Sequence, residues 1–275
     1  MSGHSKWHSI KHKKGAEDAR RGKIFTKHAK LVAIAARGGG DPNMNPSLRM
    51  AIDNARAENM PRENIERAIK KGTGEGKGAA VMEEVMYEGF GQGGAALYIE
   101  TLTDNRNRTV TNLKYAIGKN GGNLGAAGSV GYLFKKKGRI TIPLKPEIVE
   151  DKFKKTVPVP QKSLEEIELA AIDAGAEDVK FDGPIDEKGN PADDAFVEVY
   201  TEPHDLMKVR GSLEKAGIKT KSAALTYLPQ TTVAISEEQI ARELLDLINV
   251  IEEDEDVNEV FSNFEIAEAV LEKLV

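Results

Sequence analysis

The sequence predicts an α+β protein with an N-terminal three-helix domain followed by two ferredoxin-like α+β domains, one inserted into the other. Apolar residues recur at helical spacing from Ile24 to residue 72, and strand patterns alternate with helix patterns after them. The order strand-helix-strand-strand-helix-strand, which is that of ferredoxin-like domains, occurs twice. A chain of 275 residues is long for one core and suits two or three domains.

Three helices with short connections predict a small helical domain over residues 1–78. Each is marked by apolar spacing and by residues that favour helix starts or ends. The first follows the apolar pattern from Ile24 to Ala36 and ends at Gly38–Gly40, the second starts at the N-cap Asn45 with Pro46, and the third lies behind Pro61 and ends at Gly72. The glycine-rich segment 72–80 is then expected to be a flexible linker.

The first α+β domain is predicted from residues 79–136 together with residues 229–265. Its elements are short apolar runs with the period of strands or helices. They are strands Val85–Phe90, Ala95–Thr103 and Ser129–Lys135, helix Asn105–Lys119, strand Thr231–Ile235, helix Glu237–Ile251 and strand Val257–Phe264. Without the first strand, these elements have the ferredoxin-like order.

The second α+β domain is predicted as an insertion over residues 137–228. Its elements are strand Arg139–Pro143, helix Leu164–Ala174, strands Asp178–Phe181 and Ala195–Thr201, helix Asp205–Ala216 and strand Lys219–Leu228. The alternative is two unrelated α+β domains in series; pairing of the 231–235 strand inside the sheet of 137–228 would exclude the insertion. We expect an exposed mobile loop at 144–162 and a short amphipathic helix in the tail, 266–275.

Charge is distributed unevenly along the chain. Residues 1–77 hold 17 Lys and Arg and 8 Asp and Glu, a balance of +9, whereas the remainder has −14. This division indicates a basic module that binds a polyanion, attached to an acidic body. There is no cysteine and no apolar run long enough for a membrane span, so we expect a cytoplasmic protein without disulfides, thiolate chemistry or membrane partners.

The stretch GHSKWHSIKHKK, residues 3–14, suggests either a metal site or an arm that binds nucleic acid. His4, His8 and His12 recur every four residues, but imidazoles so spaced on one helix cannot converge on one ion, so we expect no metal and no cofactor. Lysines and arginines instead neutralise phosphates, and a tryptophan can stack on a base. The predicted nucleic-acid-binding residues here are His4, Lys6, Trp7, Lys11, His12, Lys13, Lys14, Arg20, Arg21, Lys23 and Lys27, with Lys30 beyond them. The alternative is a solvated basic tail.

Two further candidate residues stand in TDNRNRT, residues 103–109, where a strand ends and a helix begins. Arg106 and Arg108 lie on the first helical turn, where cations oppose the helix dipole. A bound anion would offset that opposition, so both arginines are predicted to contact nucleic acid. The alternative is two solvated arginines.

No arrangement of residues predicts catalysis. The Gly89-x-Gly91-x-x-Gly94 pattern resembles a dinucleotide fingerprint but joins two strands, so a hairpin with positive φ angles explains it better. Lys77 in GTGEGKGAA precedes a glycine where a phosphate-binding loop needs Ser or Thr. The acidic run 252–256 is interpreted as a solvated turn. The alternative is a weak magnesium site, which would make the protein a magnesium-dependent phosphate-handling enzyme.

Several stretches resemble the YebC/PmpR family, bacterial proteins called probable transcriptional regulators, with a mitochondrial member that activates translation. They are GHSKW (3–7), IKHKK (10–14), RRGKIFTK (20–27), NMPRENIERAIKKG (59–72), YEGFGQGG (87–94), TDNRNRT (103–109) and KNGGNLGAAGSVGYLF (119–134). The resemblance implies three α/β domains, a cytosolic location and no enzymatic activity. It carries over His4, Lys6, Trp7, Lys11, His12, Asp18, Arg106 and Arg108 as motif positions, but not His8.

We therefore predict a monomeric, non-enzymatic regulator of gene expression that binds nucleic acid. The resemblance implies either control of transcription through promoter DNA or relief of stalls on ribosomes through rRNA or tRNA. Both partners are polyanions, so the charge pattern alone leaves the two open.

Overall fold

The computed structural model describes residues 17–75, 81–144, 147–150, 156–159, 162–183 and 195–274. The chain divides into two compact units, one formed by Met1–Lys135 with Leu228–Val275 and the other by Lys136–Tyr227. The described residues contain eight α-helices, two four-stranded sheets and two two-stranded sheets. The predicted α+β class is confirmed.

The first unit begins with three helices, α1 (Glu17–Ala36), α2 (Pro46–Ala57) and α3 (Arg62–Gly72). The side-chain oxygen of Asn45 accepts a hydrogen bond from the Leu48 amide at 3.1 Å and caps α2, as predicted. The buried apolar side chains of the three helices form one core: Val32, Ala36, Leu48, Ala51, Ile52, Ala55, Met60, Ile65 and Ala68. This core makes a rigid support for the charged residues on the helix surfaces.

A β-hairpin follows, made of β1 (Glu83–Phe90) and β2 (Ala96–Thr103). Gly93 and Gly94 in its turn have φ angles of 67° and 77°, which glycine adopts without a steric penalty. Of the fingerprint-like pattern, Gly89 lies in β1, while Gly91 and Gly94 belong to this strand-to-strand turn. A dinucleotide-binding loop would instead open a helix.

The remaining elements of this unit are α4 (Arg106–Lys119), β3 (Asn123–Leu124), β10 (Val233–Ile235), α7 (Glu238–Glu252), β11 (Val257–Ser262), β12 (Phe264–Ile266) and α8 (Glu268–Leu274). The main sheet has the order β11-β2-β1-β3. Its inner face packs against α4 and α7 around Ile99, Leu113 and Ile248. Val270 and Leu271 of α8 belong to the same core, so the tail helix packs on its own unit.

Two predicted strands of this unit differ in the structure. Residues 129–133 include a short 3₁₀ helix, and β4 runs without a break from Phe134 to Pro143, so the predicted strand Ser129–Lys135 is wrong. The cause is a side chain: the Glu88 carboxylate accepts the backbone amides of Val130 and Gly131, which a strand would need for its ladder. Separately, β10 pairs in parallel with β12 and lies outside the main sheet.

The second unit contains most of β4, then β5 (Glu147–Glu150), β6 (Thr156–Val159), α5 (Leu164–Ala174), β7 (Asp178–Asp182), β8 (Phe196–Thr201), α6 (Leu206–Lys215) and β9 (Ser222–Pro229). Its sheet order is β7-β8-β4-β9, the ferredoxin-like arrangement for this element order. The region predicted as a mobile loop instead contains the antiparallel pair β5–β6. None of the helices described is long and apolar enough to cross a membrane.

Candidate nucleic-acid interface

The structure describes only part of the predicted interface. The arm residues lie outside the described part of the chain, and so does the side chain of Arg20, whose backbone belongs to α1. The arm residues are His4, Lys6, Trp7, Lys11, His12, Lys13 and Lys14. Their contact with nucleic acid stays a prediction.

Arg21 and Lys23 are exposed near the start of α1. Within the part of the chain that is described, neither makes an ion pair with a carboxylate. Both cations can therefore approach a phosphate without first breaking an internal interaction.

Lys27 and Lys30, one and two turns further along α1, are used inside the protein. The ammonium group of Lys27 donates a hydrogen bond to the carbonyl oxygen of Asn258. The ammonium group of Lys30 donates to the carbonyl oxygens of Leu102, at 3.1 Å, and Glu255, at 2.6 Å. The Lys30 side chain is only 18% exposed. These two lysines fasten α1 to the α+β part of the first unit.

Asp256 is the carboxylate on which these interactions converge. Its side chain is 5% exposed and accepts hydrogen bonds from Lys30 at 3.1 Å and from Arg108 at 2.8 and 3.0 Å. The hydroxyl groups of Thr109, at 2.9 Å, and Thr103, at 3.3 Å, donate to the same carboxylate. We call these five residues the Asp256 cluster. Burial alone would raise the pKa of Asp256, but the hydrogen bonds from Arg108, Lys30 and Thr109 outweigh it and lower that pKa.

Local backbone geometry brings the members of the Asp256 cluster together. Asn105 caps α4, which places Arg108 on the first turn of that helix. The Asp254 carboxylate accepts the Asp256 amide at 2.8 Å and the side-chain amide of Asn112 at 3.0 Å, which fixes the turn before β11. The interpretation of the acidic run as a solvated turn is therefore wrong for Asp256, which is a buried structural anchor.

Arg106 makes a separate pair on the same helical turn. Its Nε lies 2.6 Å from Oε2 of Glu83, and its side chain is 66% exposed. Arg108, which is 47% exposed, also binds Asp104 at 2.9 Å. Carboxylates of the protein thus offset the opposition between these arginines and the helix dipole, as a bound anion was predicted to do. Their contact with nucleic acid remains a prediction, and it now requires competition with Glu83, Asp104 and Asp256.

A second carboxylate group lies on the sheet below Lys27. Glu100 of β2 pairs directly with Glu259 of β11 and accepts a hydrogen bond from Asn258. Burial raises the pKa of Glu100 to about 7; repulsion from Glu84 and Glu259 adds to this effect, whereas Asn258 and Lys27 oppose it. The glutamates give this face of the sheet negative charge opposite a basic helix.

The described residues hold no group of three or more His, Asp or Glu side chains placed to bind a metal ion. Asp256, the buried carboxylate of the acidic run, already accepts hydrogen bonds from two cations and two hydroxyl groups. Its donors fill the positions that a magnesium ion would need, so the residues present do not fit the magnesium site considered from the sequence.

Comparisons with known proteins cover both the helical domain and the α+β part. Residues 5–75 match the family described as TACO1/YebC protein N-terminal domain, and residues 82–264 match TACO1/YebC second and third domain. The chain belongs to the TACO1/YebC family.

Relatives within the TACO1/YebC family match over the whole chain. A protein of Persephonella marina is 46% identical over all 275 residues, and one of Geotalea uraniireducens is 48% identical over the full length of both chains. Both are named probable transcriptional regulatory protein. The crystal structure of a conserved hypothetical protein from Aquifex aeolicus is 43% identical, with a TM-score of 0.79 over 94% of this chain and 96% of that one.

Glu88 organises two glycine-rich stretches that this TACO1/YebC chain carries. Its carboxylate accepts the amides of Gly128 at 2.7 Å, Val130 at 2.6 Å and Gly131 at 2.7 Å. A cluster of backbone amides that resembles an anion site is therefore filled by the protein itself. Burial opposes ionisation here, but the three amides prevail and lower the pKa of Glu88.

Sequence reasoning missed one group of cations in the TACO1/YebC N-terminal domain. Arg67, Lys70 and Lys71 are exposed on α3, and none of them pairs with a carboxylate of the described residues. The segment ERAIKKG contains them, and its helical spacing puts Arg67 and Lys70 opposite the buried Ile65, with Lys71 one turn after Arg67 at the edge of the same exposed face. Their helical spacing can be read from the sequence, whereas their lack of carboxylate partners among the described residues is shown by the structure.

Proposed function

We propose that this chain is a non-enzymatic regulator of gene expression that binds nucleic acid through its N-terminal helical domain. The observation that carries the proposal is the division of cations in that domain. Lys27 and Lys30 are engaged by the α+β part, while Arg21 and Lys23 stay exposed without carboxylate partners among the described residues. Exposed, unneutralised cations on a rigid helix are what contact with phosphates requires.

The relatives make duplex DNA the first partner to test. Proteins 44–48% identical to this chain over nearly its full length are named probable transcriptional regulatory proteins. We propose the same role here, carried out in the cytoplasm by a monomer without a cofactor. RNA of the ribosome is the alternative, because it presents the same phosphate chemistry.

Salt-dependent binding tests this function. The full chain is titrated into a labelled random-sequence DNA duplex, a labelled structured RNA and purified ribosomal particles, each at about 50 to 200 mM salt. We expect the logarithm of the DNA affinity to fall linearly with the logarithm of salt concentration, with a slope near −0.9 for each phosphate contacted.

Three outcomes separate the possibilities. Tighter binding to DNA supports a transcriptional regulator, whereas tighter binding to RNA or ribosomal particles would move the role to translation. No salt-dependent binding to any of the three would overturn the proposal. Sedimentation of the free protein at twice the mass of one chain would contradict the monomer.

A further inference from the structure

We propose that the exposed face of α3, made of Arg67, Lys70 and Lys71, is a contact surface for the sugar-phosphate backbone of nucleic acid. We call these residues the α3 basic face. The inference rests on the proposed function and goes beyond it, because it assigns the contact to a helix outside the basic arm.

Geometry is the first support. In a helix, residues three and four apart lie about one turn, or 5.4 Å, from one another along the axis. Arg67, Lys70 and Lys71 stand at such spacings and share the side of α3 that points away from the core. Three positive charges are thereby held close together on one rigid surface, which suits a chain of phosphates better than a single anion.

The lack of internal neutralisation is the second support. Arg62, on the first turn of the same helix, is held by Glu66, with Nε and Oε1 2.7 Å apart. Among the described residues, no carboxylate forms an ion pair with Arg67, Lys70 or Lys71. One helix thus carries a neutralised cation at its start and three unneutralised cations toward its end.

The end of α3 is also fixed in place. A Cβ atom built on Gly72 would lie 2.2 Å from the carbonyl oxygen of Ala33 and 2.7 Å from Cβ of Ala36. The end of α3 therefore touches the backbone of α1, an approach that only glycine permits. This contact orients the adjacent Lys70 and Lys71 before any partner binds, which lowers the entropy lost on binding.

A purely structural account explains part of the pattern. Lysines in the last turn of a helix interact favourably with its dipole, and Lys70 and Lys71 stand there. Arg67 lies in the turn before and gains less from the dipole. The two accounts differ in what they predict: the dipole account affects stability, whereas the phosphate account affects the salt dependence of binding.

The test uses the full chain and the labelled DNA duplex and structured RNA as probes. The triple variant Arg67→Ala, Lys70→Ala, Lys71→Ala is compared with Lys114→Ala, Lys162→Ala, Lys215→Ala, which removes the same charge from exposed lysines outside the helical domain that pair with no carboxylate of the described residues. We expect the first variant to reduce the salt slope by roughly three and the affinity at low salt by roughly tenfold or more. The control should change the affinity by less than about threefold, since long-range charge effects are screened.

Further variants keep the result interpretable. Arg67→Ala alone should reduce the slope by about one without affecting the last helical turn. Arg67→Lys, Lys70→Arg, Lys71→Arg keeps the charge and should retain both slope and affinity. Arg62→Ala should leave the slope unchanged because Glu66 already neutralises that guanidinium.

Three results would overturn the inference, and each leads to a different conclusion. If the unaltered protein binds both probes but the triple variant keeps its slope, the α3 basic face is not a contact surface while the proposed function stands. If the unaltered protein binds neither probe, the function and the inference both fail. A lower melting temperature with an unchanged slope in Arg67→Ala would leave only the structural account.

Discussion

The Asp256 cluster and the α3 basic face contain the same kinds of side chain in opposite situations. In the cluster, Lys30 and Arg108 converge on one buried carboxylate and join α1 to the α+β part of the unit. On the α3 basic face, cations lie exposed without a carboxylate among the described residues. The difference teaches that positive charge in a sequence has two uses: fastening acidic and basic regions together, and binding an external polyanion.

Removing the carboxylate of the Asp256 cluster is expected to have the largest effect. Asp256→Ala leaves Lys30 in a site where it is 18% exposed, without a counter-charge, and removes the carboxylate acceptor of the Thr103 and Thr109 hydroxyl groups. Breaking a buried ion pair on one side destabilises by about 3 to 5 kcal/mol, and because Arg108 is half exposed we expect about 3 kcal/mol. Urea unfolding of the full chain measures this loss.

Glu253→Ala is the matched control, because it removes an exposed carboxylate of the same acidic run. We expect it to change the free energy of unfolding by less than about 0.5 kcal/mol. Equal losses of stability in the two variants would mean that Asp256 does not stabilise the contact between α1 and the α+β part. The contrast between the Asp256 cluster and the α3 basic face would then be wrong.

The second effect concerns pH and the carboxylates opposite Lys27. The pKa of Glu100 is about 7 in the folded protein, above its ordinary value of 4.5, so between these values the folded state binds more protons than the unfolded state. The contribution of Glu100 to stability is therefore present at low pH and is lost as pH rises to about 7. Asp256 behaves in the opposite sense, since its lowered pKa gives stability that is lost only below about pH 4.

Glu100→Gln should abolish this pH dependence. Glutamine still accepts the hydrogen bond from Asn258 but has no charge to repel Glu84 and Glu259. The difference in unfolding free energy between the variant and the unaltered protein should increase by about 2 kcal/mol, in favour of the variant, as pH rises from 5 to 8. Urea unfolding at both pH values measures it, with Glu265→Gln on an exposed strand position as control. A gain that is the same at both values would show that Glu100 does not titrate in this range.

Sequence patterns predicted the local elements better than the long-range pairings. The cap at Asn45, the end of α3 at Gly72 and the glycine turn before β2 depend on neighbours in the chain, and these predictions are confirmed. The strand expected at residues 129–135 failed because Glu88, some 40 residues earlier, takes up the amides of that segment. Local propensity contains no term for such a competitor.

The same limit applies to the candidate site. Arg108 and Asp256 are 148 residues apart in sequence, and Lys30 and Asp256 are 226 apart. Charge counts placed Lys30 in the basic region and Asp256 in the acidic one, but they gave no sign that Arg108, within the acidic region, would pair with Asp256. The helical spacing of Arg67, Lys70 and Lys71 was available from the sequence, whereas their lack of carboxylate partners within the described residues required the structure.

The smallest effect tests whether the α3 basic face depends on a fixed end of α3. Gly72→Ala places a methyl group against the Ala33 carbonyl, and because that neighbour is backbone we expect a loss of about 1 to 2 kcal/mol in urea unfolding. Gly22→Ala is the control: this glycine of α1 has no neighbouring atom within 4 Å, so alanine should stabilise the helix by up to about 1 kcal/mol. The opposite signs separate helix propensity from packing. If the displaced end of α3 also carries Lys70 and Lys71 out of position, Gly72→Ala weakens duplex binding while Gly22→Ala does not; unchanged binding in both would mean that the cations work without a rigid support.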